Sequence, residues 1–162
     1  MKIIEQEEVR KLLQPKDCIQ LMAEALKGLE SGEYAQPARL ITVMPNTAKF
    51  GFMPAYVGDY FGAKVISAFA PNMGTKYPSH IGYVMLFESA HSTVAGMIEA
   101  GSITEIRTGA VSAAATDLLA RKDSHKLALI GAGAQARSHL AAIREIRDIT
   151  SVTVYDLFPQ AA

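Results

Sequence analysis

The stretch that decides the fold is "KLALIGAGAQARSHLAAIREIRDITSVTVYD", Lys126 to Asp156. An apolar run, Lys126–Ile130, leads into a glycine turn, then a helical pattern, then a second run rich in β-branched residues, "SVTVY". Two strands joined through a helix make a βαβ unit, which is parallel and right-handed. The turn reads G-x-G-x-x-A at Gly131, Gly133 and Ala136. The first glycine allows a tight turn and the second lets a pyrophosphate approach the backbone. The small third residue lets helix and strand pack closely. The pyrophosphate would sit on the helix N-terminus, where backbone N–H groups and the helix dipole favour anions. Asp156 closes the second strand about 20 residues past the turn, where a ribose-binding carboxylate is expected. That acid favours NAD over NADP, because it can accept from a ribose 2′-hydroxyl and would repel a 2′-phosphate. The competing readings are a turn that needs glycine only for packing, and a strand-ending turn acid.

Working outward, Gly101–Asp123 reads as a long helix rich in small residues. The spacing of Ser102 and Glu105 predicts a capping box that starts it near Ser102. Gly109, Ala110, Ala113 and Ala114 would let another backbone come close. Upstream, "RLITVMP", "FGFMPAYVG", "GAKVISAFA", "GYVMLFES" and "TVAGMIE" read as short strands separated by turn residues. A mostly antiparallel or mixed sheet beside N-terminal helices follows. In "PKDCIQLMAEALKGLESGEY", Ile19, Met22, Ala23, Leu26 and Leu29 share a helical face, with Pro15 and Asp17 suited to its first turn and Gly32 to its stop. The expected fold is α/β: a mixed-sheet domain over residues 1–120, then the first βαβ unit of a dinucleotide-binding domain over 121–162.

Composition narrows the function. The 162 residues carry 16 basic and 16 acidic side chains, so no basic face for nucleic acid is expected. No apolar run reaches a membrane-spanning length, and "MKIIEQEEVRKLL" has acids where a signal peptide needs an apolar core. One cysteine, Cys18, suits a reducing cytoplasm. His80, His91, His125 and His139 show no metal-ligand spacing, so no metal is expected. Three cations stand out. Lys64 lies inside an apolar strand and must either reach solvent or meet an anion. Arg107, read as about one turn into its helix, opposes the dipole unless an anion sits there. Arg39 is either a third anion contact or a strand-edge charge. Together they could clamp a carboxylate, as of a small amino or imino acid beside a nicotinamide.

The segments "PARL" (37–40), "MPAY" (53–56), "GAKVIS" (62–67), "YPSHIGYVMLFES" (77–89), "EIRTGAVSAAAT" (105–116) and "LIGAGAQA" (129–136) resemble the N-terminal half of the ornithine cyclodeaminase/µ-crystallin family. "RTGAVSAAA" just before the glycine turn is the most specific of them. The resemblance implies a substrate and dimerisation domain, a Rossmann domain and a homodimer. It implies Arg39, Lys64 and Arg107 as the substrate carboxylate clamp. For the cofactor it implies Ser79, Arg107, Gly131, Gly133, Ala134, Gln135, Ala136 and Asp156. Ser79 stands where the family often has Thr and keeps the hydroxyl. The implied chemistry is hydride transfer at the α-carbon of an amino acid, with L-ornithine to L-proline plus ammonia as the leading reaction. Alanine dehydrogenation and ketimine or pyrroline-carboxylate reduction are the alternatives within the family. The family's catalytic acid falls in a second half beyond these residues, so no catalytic residue is assigned. Family members run to about twice this length. The chain is therefore expected to be a fragment, inactive alone, or else a non-catalytic remnant with a binding function.

Overall fold

A computed structural model describes residues 1–158 and 160. By compactness the chain forms two units: Met1–Leu12 with Ala25–Ile103, and Leu13–Glu24 with Thr104–Ala162.

The first unit is built on a six-stranded mixed sheet. Its strands are β1 (Lys2–Ile4), β2 (Leu40–Val43), β3 (Lys49–Val57), β4 (Tyr60–Ala68), β5 (His80–Glu88) and β6 (Val94–Glu99). Their spatial order is β1-β6-β5-β4-β3-β2. The five strands expected as short runs between turns form an antiparallel meander, with Phe61 and Phe87 stacked across it at 5.2 Å between ring centroids. β1 is the addition. It pairs parallel with β6, Lys2 opposite Gly96 and Ile4 opposite Ile98, which makes the sheet mixed. At three residues it is too short to announce itself by alternation. Helix α1 (Gln6–Leu12) follows it.

Helix α2 (Pro15–Ser31) starts on its proline and stops at Gly32, which takes φ 79°, a left-handed conformation that favours glycine. Helix α3 runs Ala100–Leu119 and therefore starts before the expected Ser102. The Ser102 capping box is not formed. Glu99, the last residue of β6, turns its carboxylate onto the N–H groups of Gly101 and Ser102, the latter at 2.8 Å. Ser102 is inside the first turn, 1% exposed, and its hydroxyl has no hydrogen-bond partner among the described residues. The acid preceding the helix wins because a carboxylate accepts more strongly than a hydroxyl and is favoured by the dipole.

In the second unit, β7 (Lys126–Ile130) and β8 (Ser151–Tyr155) pair in parallel around α4 (Ala134–Arg144), the βαβ unit expected from sequence. Its core joins Ala113 of α3 to Ala142 and Ile143 of α4, with Ile19, Leu127, Ile146 and Ile149 packed around them. Gly109 is a point of close approach between α3 and α4. A Cβ there would stand 2.5 Å from the Ser138 carbonyl oxygen, so the small residues of α3 are an approach surface. Arg147, just past α4, is almost fully buried and caps the other end of α3. It donates to the carbonyls of Thr116, Asp117, Ala120 and Arg121, and to the Asp117 carboxylate. Beyond the turn the unit leaves apolar side chains uncovered: Ile130 is 92% exposed, and Tyr155, Leu157 and Phe158 are exposed too.

Candidate functional site

The glycine turn has the geometry its sequence requires. Gly131 takes φ 98°. A Cβ at Gly131 or Gly133 would meet no atom within 4 Å, so the turn opens on free space. Gly133 is the N-cap of α4 and supplies no side-chain oxygen to the first-turn amides, and that turn contains no acid. Ala134 and Gln135, the first two helical residues, are exposed. An anion placed here would meet backbone N–H groups without competition from a side-chain cap. These features fit a dinucleotide pyrophosphate.

Asp156 stands at the end of β8 and is half-buried. Its Oδ1 accepts from the Phe158 N–H at 2.9 Å, and its Oδ2 accepts from the Ala132 N–H, inside the glycine turn, at 2.8 Å. These backbone donors, Phe158 first, hold its carboxyl below the usual carboxylate range. The acid is thus ionised at neutral pH and sits directly against the turn. A bond from strand end to turn, 24 residues apart in sequence, could not be read from the motif alone.

The first unit holds the other expected residues. Lys64 lies in the middle of β4, half-buried, opposite Met53 on β3 and Val84 on β5. It lines an apolar concavity of about 190 Å³ with Met53, Ala55, Gly62, Val84 and Leu86. Arg39 is exposed and precedes β2 by one residue. Leu40, the residue after it, pairs with Phe52, and the isolated bridge of Ala35 with Tyr56 is out of that register by one. β2 and β4, with β3 between them, lie two strand spacings apart, about 10 Å. Ser79 lies away from Lys64. Its carbonyl accepts from the Phe69 N–H, five residues beyond Lys64 and about 16 Å along the strand. Its hydroxyl lies 3.1 Å from Nδ1 of His80. His80 was not singled out from the sequence, and only its adjacency to Ser79 could have suggested it.

Arg107 is in the second unit. Because α3 starts at Ala100, Arg107 is about two turns into the helix instead of one, beyond the reach of the end dipole. The dipole argument for an anion at Arg107 therefore falls. Half-buried, its guanidinium acts instead on the buried Cys18 thiol of α2, pulling its pKa down against a larger upward push from burial. No group of three or more His, Cys, Asp or Glu residues among the described residues is placed to hold a metal ion. No helix of the described residues is long and apolar enough to cross a membrane.

The parallel βαβ unit, its open glycine turn and the acid beside it define the class: an α/β protein of the dinucleotide-binding type, carrying a separate mixed-sheet unit. The family model described as "Ornithine cyclodeaminase/mu-crystallin family" matches residues 1–162, and the chain belongs to that family. Ketimine reductase mu-crystallin of Mus musculus is 36% identical over 121 residues, which are 73% of this chain and 38% of that protein. The solved Thermococcus litoralis Delta(1)-pyrroline-2-carboxylate reductase, in complex with NADH and L-proline, superposes with TM-score 0.92 at 33% identity, covering 100% of this chain and 51% of that one. An archaeal alanine dehydrogenase dimer with bound NAD gives TM-score 0.93 at 29% identity, covering 99% of this chain and 50% of that one. The chain spans at most about half the length of each relative.

Proposed function

We propose that this chain carries the cofactor entrance and part of the substrate clamp of an NAD-dependent enzyme acting at the α-carbon of a small amino or imino acid. The observation that carries the substrate side is Lys64, a cation in the middle of β4 that lines an apolar concavity, with Arg39 just ahead of β2 on the same sheet. Arg supplies a bidentate fork and Lys a point charge, and a carboxylate suits both. The apolar concavity beside Lys64 suits a short aliphatic substrate body. The family resemblance assigns Arg107 to the same carboxylate and to the cofactor.

Gly131, Gly133, Ala134, Gln135 and Ala136 would hold the pyrophosphate, Asp156 the adenosine ribose, and Ser79 the nicotinamide side. When bound, NAD supplies the hydride acceptor or donor for the substrate's α-carbon. The chain's own residues fix the carboxylate and shield the reacting carbon. Imine reduction or amino-acid dehydrogenation is favoured over ornithine cyclisation, because the relatives reported above are named as two reductases and a dehydrogenase. L-ornithine conversion to L-proline passes through the same oxidised carbon and remains the alternative. We read residues 1–120 as the substrate and dimerisation domain and 121 as the start of the Rossmann domain, with Leu13–Glu24 and α3 from Thr104 onward belonging to the compact unit of the latter. A homodimer is supported by exposed apolar side chains on β2 and β3, among them Leu40, Val43, Phe50 and Phe52, and by the dimeric state of the alanine dehydrogenase. The family resemblance puts the catalytic acid in the second half of the family's length, so turnover is expected of a protein that carries both halves.

The test is to assay NAD(H)-linked conversion of alanine, proline, the cyclic imino acids and ornithine, with ammonia release, in a protein that carries both halves of the family's length and in its Lys64→Met and Arg107→Ala variants. Both variants should lose turnover; Lys64→Met should bind NAD within about twofold of the parent, whereas Arg107→Ala should also bind it more weakly. Turnover retained in either variant removes that residue from the clamp.

A further inference from the structure

Asp156 does more in this structure than present a carboxylate to a ribose. One oxygen accepts from the Phe158 N–H two residues on, the bond an acid commonly makes in closing a strand. The other reaches back 24 residues to the Ala132 N–H. Ala132 is the residue between the two glycines of the turn. Glycine on both sides leaves that peptide few conformational restraints of its own. On the strand side the turn is tied once more, where the Gly131 N–H donates to the Tyr155 carbonyl at 2.7 Å. Past that bond, the Asp156 carboxylate is what reaches Ala132.

We propose that Asp156 is a positioning residue for the cofactor turn: its carboxylate latches Ala132 to the end of β8 and so holds the β7–α4 turn open in the shape that receives a pyrophosphate. This rests on the dinucleotide reading above. A carboxylate has about four acceptor sites on its two oxygens. Each oxygen uses one for a backbone N–H and keeps one for a hydroxyl of a vicinal diol. The latch and the ribose contact are therefore compatible, and the ribose is met by an acid already oriented by the turn it adjoins. Asparagine cannot replace it, because its single oxygen serves one backbone donor and its NH₂ then faces the other.

A ribose contact alone and a latch make opposite forecasts for NADP. Without the latch role, Asp156→Ala relieves repulsion of the 2′-phosphate and NADP binds more tightly than before. With it, the turn loses its shape for either cofactor. The experiment measures amide hydrogen exchange in the cofactor-free protein, and NAD and NADP affinities, for the parent, Asp156→Ala and Asp156→Asn. The Ala132 amide should exchange at least tenfold faster in both variants, while Leu129 and Val154 in the β7–β8 ladder keep their protection. NAD should bind more than tenfold more weakly in Asp156→Ala, and NADP at least threefold more weakly. Unchanged exchange at Ala132, or tighter NADP binding, overturns the latch. If Asp156→Ala also loses protection at Leu129 and Val154, Asp156→Asn decides by the same exchange measurement. A parent protein that binds neither cofactor refutes the dinucleotide reading, and exchange at Ala132 still decides the latch.

Discussion

Replacing Arg147 with Ala tests how the second unit is held together. The guanidinium is 4% exposed and donates to four carbonyls at or after the last turn of α3, at 3.2–3.4 Å, and to its own neighbour's carbonyl, Ile146, at 2.7 Å. A hydrogen bond to a charged group is worth about 1.5–3 kcal/mol, and a buried acceptor left unsatisfied costs about as much. If water entering the vacated space re-solvates all but two of the carbonyls, the loss is about 3–5 kcal/mol. Against a whole-domain stability of roughly 5–15 kcal/mol, that brings the unit near its threshold. A fall in Tm of about 6–20 °C follows for a chain of this size. Thermal and urea denaturation followed by circular dichroism would measure it. Arg147→Lys should recover little, since one ammonium cannot span this many acceptors. Asp117→Asn should shift the midpoint far less, because its carboxylate is 43% exposed and Lys122 shares it. The reasoning is refuted if Arg147→Ala costs under about 1 kcal/mol, below even one such bond, or if Asp117→Asn costs as much.

Gly109→Val should destabilise the protein by about 1–3 kcal/mol, the usual cost of overpacking, because the atoms it meets are α4 backbone at Ser138 and cannot swing aside; a denaturation midpoint equal to the parent's would count against the close approach. Acid should weaken the fold through Asp156, held low by the Phe158 and Ala132 amides, and Asp117, held low by Lys122 and then Arg147. Both have folded pKa values below the unfolded value of about 3.9, so their stabilisation is present above that pH and is lost as pH falls through the folded values. Asp156→Asn should accordingly show a smaller drop below pH 4 than the parent, and superimposable pH profiles would contradict this.

What could be read in the sequence was local. Short runs bounded by turn residues revealed β2 to β6, and the glycine spacing revealed the β7–α4 turn, because both patterns are complete within a few residues. What could not be read depended on chain segments far apart. Ser102 had the right spacing for a cap, but Glu99, one strand-end earlier, takes the amides first. Arg147 looks like any surface arginine until the end of α3 is laid against it. At the candidate site, Lys64 and Arg39 were visible as cations out of place. That they stand two strands apart on one sheet shows only once β2 is seen to pair with β3 and β3 with β4. The dipole argument for Arg107 failed for the same reason as the cap, since both depended on where α3 begins.

The parallel pairing of β1 with β6 also sets an order of events during synthesis. Strands β2 to β6 can zip one hairpin at a time as they leave the ribosome, each closing a short loop. Lys2 must instead wait for Gly96, made more than ninety residues later. That long closure raises the contact order of the first unit and slows its completion. Until β6 emerges, its future neighbour travels as an unpaired edge, a point at which a nascent chain is open to chaperones and to mispairing with another copy.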